Sequence, residues 1–330
     1  MIRSLLLTLS LTALATTAAT QQVVVANRGS ADITVIDTAR LTVTRTVPLP
    51  PGAATPEPMY VVAAAGEVLV GDRANNRIVR FDRRTYRVLG TVAVGTGVFH
   101  MWASDRQLWV NNDVDNTSSV IDLATMTVMA TVSMPADLMV QGYKPHDVFV
   151  TGRNAYVSLL GAGLSTDFVV QFSTRTFTET ARAAVGRDPH LWWDHRSNRL
   201  YVPCQNSDTV FVLDGDSLAE LQQVAVPGAH GVYVPAGTGR LLVSNFPSGS
   251  DNGLYELSTG PTVRVRRAVG VPVPSPHNIA AVPGGRRIFV THSSASRTEV
   301  SAYQRVGLGQ PVLRRVIQAG TNPFGLAYVP

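Results

Sequence analysis

One pattern recurs seven times along the chain and limits its possible folds more than any other feature. Each copy begins with a turn, usually containing proline, followed by a histidine or another large residue and then by short apolar strands. The large residues are Met59, His100, His146, His190, His230, His277 and Phe324. They are separated by 41, 46, 44, 40, 47 and 47 residues. Repeats of about 40–50 residues are typical of β-propeller blades, each a four-stranded antiparallel sheet.

The strands within a repeat differ in polarity. The second strand is a short apolar run, as at residues 68–70, 108–110 and 200–202, which is typical of strands buried on both faces. The third often ends in aspartate, as at Asp37 and Asp82, whose side chain can bond the backbone two residues on and open the next turn. The fourth is more polar. We therefore predict that it forms the outer, water-facing edge of each blade.

The two ends of the chain complement each other. The last repeat contains a single strand, residues 325–329, and its three missing strands have counterparts at residues 23–25, 33–37 and 42–47. This predicts an all-β fold, a single seven-bladed β-propeller over residues 20–330. It has four-stranded blades and is closed by N-terminal strands that pair with the C-terminal strand. No amphipathic helix pattern of ten or more residues follows the first twenty residues.

The first nineteen residues have the composition of a signal peptide. A basic Arg3 precedes an apolar stretch over residues 5–15, and small residues follow up to Ala19. We expect cleavage there and a periplasmic or extracellular protein. No later stretch has the roughly 18 apolar residues of a spanning helix, so no transmembrane segment is expected. Cys204 is the only cysteine, which excludes an intramolecular disulfide.

Several segments resemble a known repeat. Residues 24–27 (VVAN), 33–38 (ITVIDT) and 145–150 (PHDVFV) are similar to the YVTN-type repeat of YncE-like bacterial proteins and archaeal surface-layer proteins. The similarity extends over nearly all of the chain after the signal peptide. It implies a seven-bladed propeller. It also implies that proline followed by histidine is a usual part of the repeat, which favours a structural role for these histidines.

Five of the seven histidines stand at equivalent places in the repeat, where the innermost strand begins, and a closed ring brings equivalent places together. We expect a ring at the mouth of the central channel, formed by His100, His146, His190, His230 and His277, with Met59 and Phe324 in the two other blades. Such imidazoles could bind a transition metal, accept a proton or donate hydrogen bonds to an anion. Alternatively, they satisfy loop backbone groups.

Charge is distributed unevenly. Residues 262–330 contain nine arginines and one acid, Glu299, a net charge of +8. This sector could attract an anionic partner, or its arginines could be solvated side chains that keep exposed strand edges from pairing. No motif for reading a nucleic-acid sequence occurs. The tryptophans, Trp102, Trp109, Trp192 and Trp193, fall on inner or second strands, where packing between blades is the expected role.

No serine elbow, phosphate-binding glycine loop, zincin helix or paired-cysteine site is found in the sequence. The sequence therefore favours a non-enzymatic binding or scaffold protein of the cell envelope, which would hold a ligand or another protein on its loop-bearing face. The alternative is a metal-binding or hydrolytic, lactonase-like propeller that uses the histidine ring. No cofactor is expected, except a transition metal if the ring binds one.

Overall fold

The computed structural model describes residues 21–246, 253–270, 272–307 and 309–330. Within these residues, 28 strands form seven four-stranded antiparallel sheets. The predicted seven-bladed propeller is confirmed. The predicted signal peptide, residues 1–19, lies outside the described residues.

We number the blades from the one that contains the first strand, and each runs from the channel outward. Blade 1 consists of β28 (Pro323–Val329), β1 (Gln22–Asn27), β2 (Asp32–Asp37) and β3 (Thr42–Pro48). Blade 2 consists of β4 (Pro58–Ala64), β5 (Glu67–Asp72), β6 (Arg77–Asp82) and β7 (Val88–Ala93). Blade 3 consists of β8 (Val98–Ala103), β9 (Gln107–Asn112), β10 (Thr117–Asp122) and β11 (Thr127–Ser133).

The remaining blades follow the same order. Blade 4 consists of β12 (Tyr143–Val150), β13 (Asn154–Gly161), β14 (Asp167–Ser173) and β15 (Glu179–Val185). Blade 5 consists of β16 (Trp192–Asp194), β17 (Arg199–Cys204), β18 (Thr209–Asp214) and β19 (Glu220–Ala225). Blade 6 consists of β20 (Ala229–Tyr233), β21 (Arg240–Asn245), β22 (Gly253–Ser258) and β23 (Val265–Gly270). Blade 7 consists of β24 (Pro276–Ala281), β25 (Arg287–His292), β26 (Glu299–Gln304) and β27 (Val312–Gln318).

Helical structure among the described residues is short. It consists of α1 (Ala136–Met139) and the 3-10 turns at Arg73–Asn75, Gln205–Ser207 and Pro283–Gly285. No helix in these ranges has the length and hydrophobicity needed to cross a lipid bilayer.

Blade 1 closes the ring. Its innermost strand, β28, pairs with β1 in antiparallel register, with Val24 opposite Ala327 and Val25 opposite Leu326. Val23, Val24 and Val25 are fully buried because neighbouring blades cover both faces of β1. The predicted pairing of the two ends is confirmed.

Burial decreases from the channel outward, as the strand polarity predicts. In the second and third strands most residues are buried, whereas the fourth strands are largely exposed. The aspartates that end third strands open the following turn as expected: Asp122 Oδ1 accepts from the N–H of Ala124 at 2.8 Å and of Thr125 at 2.9 Å. These hydrogen bonds, led by that from Thr125, lower the pKa of Asp122.

The basic sector divides into two parts. Arg266, Arg314 and Arg315 are exposed on the outer strands β23 and β27. Arg305, in contrast, is buried against the carboxylate of Glu256, which is itself fully buried. The exposed arginines thus lie on outer strands, where the sequence analysis placed solvated side chains that keep strand edges from pairing.

Candidate functional site

The chain enters each innermost strand through an irregularity that leaves two residues without partners in the strand ladder. In blade 4, Pro145 pairs with Leu159 and Val148 pairs with Val157, so two residues on β12 face one on β13. This is the pattern of a β-bulge. The same shift occurs at the start of the innermost strands of blades 2, 3, 6 and 7, and blades 1 and 5 also have two unpaired residues there.

The bulges define two layers around the channel. The first bulge positions are Met59, Phe99, His146, His190, His230, His277 and Phe324. The second positions are Tyr60, His100, Asp147, Leu191, Gly231, Asn278 and Gly325.

The expectation that His100 is equivalent to the other four histidines is therefore wrong. Val98 pairs with Asn112 and Met101 with Val110, which places Phe99 in the first layer and His100 one residue further on. The difference arises because the repeats were aligned on the histidine itself, whereas the structure aligns them on the strand ladder. One residue of slip carries a side chain to a different level of the channel.

The five histidines nevertheless lie together. With Tyr60 and Phe324 they form a closed circle of seven aromatic side chains, one from each blade, whose neighbouring ring centres are 3.9–5.4 Å apart. The member from blade 2 is Tyr60, not the predicted Met59. Met59 is fully buried in an apolar cluster between blades 2 and 3.

In blades 4, 6 and 7 a side-chain hydroxyl fixes the bulge. Ser158 Oγ accepts from the N–H of Asp147 at 2.9 Å and donates to the carbonyl oxygen of Pro189, in the next blade, at 2.8 Å. Ser244 makes the equivalent bonds to Gly231 and His277, and Thr291 to Asn278 and Phe324. Each hydroxyl satisfies two buried backbone groups and ties one blade to the next. The channel side chains are thereby held in place by hydrogen bonds beneath them.

A continuous chain of hydrogen bonds links second-layer residues of five blades. Asp147 Oδ1 lies 2.6 Å from His100 Nδ1, and His100 Nε2 lies 2.6 Å from the hydroxyl of Tyr60. Asn278 Nδ2 lies 3.4 Å from the same hydroxyl. Asp147 Oδ2 also accepts from the N–H of Leu191 at 2.8 Å. The carboxylate therefore assigns the His100 proton to Nδ1 and leaves Nε2 as the acceptor that faces Tyr60.

Burial keeps the Tyr60 phenol and the first-layer histidines uncharged. Desolvation raises the pKa of Tyr60 well above its ordinary value, with a further contribution from the Asp147 carboxylate, so the phenol is a hydrogen-bond donor at neutral pH. Desolvation, followed by repulsion from neighbouring imidazoles, lowers the pKa of His146 to about 4 and of His277 to about 3. For His190 and His230 the same causes lower the pKa far below the ordinary value.

Three of the imidazoles have the spacing of metal ligands. One nitrogen each of His100, His146 and His190 lies within 4.8 Å of the other two. His146 Nε2 lies 3.3 Å from His190 Nε2 and 3.4 Å from Asp188 Oδ1. Because neutral imidazole is the ligand form of histidine, the lowered pKa values favour metal binding.

The polar layers close one end of a channel cavity of about 300 Å³. Tyr60, His100, Asp147, His190 and Asn278 contribute to its lining, and the rest of the wall is mainly apolar. Trp102 and Trp192 pack against the apolar clusters between blades, as expected, and they also belong to this wall, with ring centres 5.2 Å apart. Trp109 is fully buried, as expected.

Sequence reasoning missed Tyr60, Asp147 and Asn278. Each directly follows a first-layer residue, and none belongs to a recurring residue type. Only the assignment of two channel positions to every bulge reveals them.

Neither a protein-family model nor the sequence of a curated protein matches the chain. Solved structures do match over most of its length. A putative 6-phosphogluconolactonase from Bacteroides fragilis is 16% identical with a TM-score of 0.72, and the alignment covers 96% of this chain and 99% of that one. The periplasmic gluconolactonase PpgL of Pseudomonas aeruginosa is 19% identical with a TM-score of 0.72, covering 94% and 99% of the two chains.

Hydrazine synthase of Kuenenia stuttgartiensis is 14% identical with a TM-score of 0.68, and the alignment covers 82% of this chain and 89% of that one. At these identities, the likeness shows a common propeller fold and nothing further.

Proposed function

We propose that the protein hydrolyses a lactone, or a comparable small ester, in its central channel. The observation that carries this proposal is the hydrogen-bonded chain of Asp147, His100 and Tyr60 at the polar end of the cavity. A carboxylate that orients an imidazole, which in turn faces a proton donor, is the arrangement used for acyl transfer on unrelated folds. The propellers described above as gluconolactonases support the choice of lactones as first substrates.

The chain assigns a role to each residue. When a lactone binds, the Tyr60 hydroxyl turns from His100 Nε2 to the carbonyl oxygen of the lactone. The freed Nε2 then accepts a proton from a water molecule as that water attacks the carbonyl carbon, and Asp147 stabilises the resulting imidazolium. The carbon–oxygen bond of the ring then breaks, and the leaving oxygen takes the proton back from His100. The product is a hydroxy acid, and the imidazole returns to its neutral form.

Tyr60 and Asn278 are placed to stabilise the negative charge that develops on the carbonyl oxygen. The Tyr60 hydroxyl is buried and its raised pKa keeps it protonated, so it can donate to an oxyanion. Asn278 Nδ2, 3.4 Å away, donates to the Tyr60 hydroxyl and thereby supports it as a donor. Donors fixed in a site shielded from water stabilise a charged transition state more than the same groups do in solution.

The size and lining of the cavity limit the substrate. A volume of about 300 Å³ is at the lower end of the range for ligand pockets, about 300–1,000 Å³. Trp192 and Tyr233, with ring centres 4.6 Å apart, present aromatic surface on one side. We therefore expect a small substrate with one apolar face.

The test is turnover of a panel of γ- and δ-lactones by the purified protein. We expect His100→Gln to reduce kcat by about 10²–10⁴-fold because it removes the general base. Tyr60→Phe should reduce kcat by about 10²-fold because it removes a donor to the oxyanion. His195→Gln is the matched control, since His195 is 66% exposed in its side chain and lies outside the cavity.

Turnover that is unchanged in His100→Gln would contradict the mechanism. If no lactone is hydrolysed although one binds to the wild-type protein, the cavity acts as a binding site, which is the non-enzymatic function that the sequence favoured.

We also propose, from the sequence, that residues 1–19 are a cleaved signal peptide and that the protein is periplasmic or extracellular. Membership of the YVTN-type, YncE-like proteins is likewise a proposal, supported by the seven-bladed fold. Binding of an anionic envelope partner to the exposed arginines of residues 262–330 would be recognised by its steep decrease with salt.

A further inference from the structure

The first-layer histidines have fewer hydrogen bonds than their burial requires. His190 Nδ1 and both ring nitrogens of His230 are buried and have no partner among the described residues. His190 and His230 are 2% and 5% exposed. Leaving a buried polar group without a partner is unfavourable, because the group loses its hydrogen bonds to water and gains none in return. Unlike His100, whose nitrogens are both bonded, His230 and His190 are therefore not explained by a structural role alone, and His190 Nε2 has only His146 Nε2 beside it.

The geometry at the channel mouth fits a metal ion. Two ligands of a tetrahedral ion, each about 2.0–2.1 Å from the metal, lie about 3.3–3.4 Å apart. His146 Nε2 is 3.3 Å from His190 Nε2 and 3.4 Å from Asp188 Oδ1. For a hydrogen bond between two imidazole nitrogens, 3.3 Å is longer than usual.

The electrostatics of this site favour a cation. The Asp188 carboxylate lies 3.4 Å from His146 Nε2, and Asp147 directly follows His146 in the chain. Arg73 is nearby but is paired with Asp113 at 2.9 Å. The site thus places imidazole nitrogens beside two carboxylates.

The donor set narrows the choice of ion. Imidazole nitrogen suits zinc, copper and nickel, whereas calcium and magnesium prefer oxygen ligands. Two imidazoles and one carboxylate also leave a coordination position for water or a substrate oxygen.

We propose that the channel mouth binds one divalent transition-metal ion, Zn²⁺ or Cu²⁺, through His146 Nε2 and His190 Nε2, with the Asp188 carboxylate, which lies beside His146, turning towards the ion as the third ligand. His230 lies behind this set, its ring centre 3.9 Å from that of His190, and is the nearest additional nitrogen donor. His100 stays outside the set because Asp147 and Tyr60 occupy its two nitrogens. The inference does not depend on the proposed hydrolysis.

The experiment measures metal binding to chelator-treated, purified full-length protein. With Zn²⁺ as the probe, we expect one equivalent by elemental analysis and saturable binding by calorimetry. His146→Gln and His190→Gln should each weaken binding by about 100-fold or more, and Asp188→Asn by about 10-fold. His195→Gln, which removes an exposed histidine of the same blade, should bind as the wild-type protein does.

A second measurement needs no variant. Paramagnetic resonance of the protein loaded with one equivalent of Cu²⁺ should show hyperfine coupling to at least two nitrogens. Thermal unfolding without metal separates loss of the fold from loss of a ligand in each variant.

Three results would overturn the proposal: no saturable Zn²⁺ binding to the wild-type protein, equal affinity in the wild-type protein and both histidine variants, or a Cu²⁺ spectrum without nitrogen coupling. The proposed hydrolysis fails separately. Zn²⁺ binding without lactone turnover contradicts only the hydrolase, and turnover that survives chelation in a protein that binds no Zn²⁺ contradicts only the metal site.

Discussion

Burial without charge is the common condition of the first-layer histidines and of His292, which lies outside the channel. His292 is fully buried, with Nδ1 3.0 Å from the carbonyl oxygen of Pro274 and Nε2 2.8 Å from the hydroxyl of Ser301. Desolvation lowers its pKa to about 4, although the hydrogen bond to Pro274 and the charge of Glu299 oppose the shift and Arg297 adds to it. A buried histidine that stays neutral in the folded state therefore makes the free energy of unfolding depend on pH.

We predict that His292 contributes to acid destabilisation. Its folded-state pKa is lowered, so the unfolded chain binds the proton first. The stability it contributes is complete above pH 6.5 and is lost as the pH falls towards 4. Between pH 7 and pH 4.5 this loss amounts to about 2–3 kcal/mol. Urea unfolding at both pH values should show a smaller loss for His292→Gln than for the wild-type protein. An equal loss in the two proteins would contradict the assignment.

The sequence predicted those site residues whose type recurs in the repeat, and it missed those whose role depends on strand pairing. The convergence of His146, His190, His230 and His277 was predictable because each follows a proline or alanine at the same repeat position. Tyr60 and Asp147 were not, because their role depends on which residues of the strand are paired. Strand register is a property of three-dimensional pairing, and the residue types at the second bulge position do not repeat.

At the scale of elements, the entry bulge is the unit that builds the site. In blades 4, 6 and 7 a hydroxyl lies beneath it, as at Ser158, and in two blades a glycine stands where the neighbouring blade approaches closely. These glycines are Gly231 and Gly325. A Cβ on Gly325 would lie 2.7 Å from the carbonyl oxygen of Met59, and one on Gly231 would collide with the carbonyl oxygen of His277.

We therefore predict that Gly231→Ala destabilises the protein by about 1–3 kcal/mol, because the added methyl group forces blades 6 and 7 apart. Gly152→Ala is the matched control, since nothing lies within 4 Å of a Cβ placed there. Denaturant unfolding of the two variants measures the difference. Equal midpoints would show that the contact between Gly231 and His277 relaxes without cost.

At the scale of the whole molecule, closure between β1 and β28 joins the two ends of the chain in one sheet. This feature and the blade number were predictable because the strand deficit of the last repeat equals the strand surplus at residues 23–47. The cavity was not predictable, because its volume depends on how far side chains such as Trp102 and Trp192 extend into the channel.

We predict that a chain ending at Asn322 loses cooperative folding. It lacks β28, which covers β1 and supplies Phe324 to the circle of seven aromatic side chains. A chain that lacks only the exposed Pro330 is the control. Thermal unfolding and limited proteolysis should show an early, broad transition and cleavage in blade 1 for the longer truncation alone. A sharp transition at the wild-type temperature would refute a stabilising role for closure.

The pairing of β28 with β1 also determines when the propeller can close during synthesis. During synthesis the N-terminal strands are made first, yet the edge of β1 that faces the channel finds its partner only after residue 329 has been added. Until then the nascent chain presents an unsatisfied edge beside six otherwise complete blades. The propeller thus completes blade 1 and the circle of seven aromatic side chains in a single late step. A chain interrupted before that step therefore lacks a closed channel.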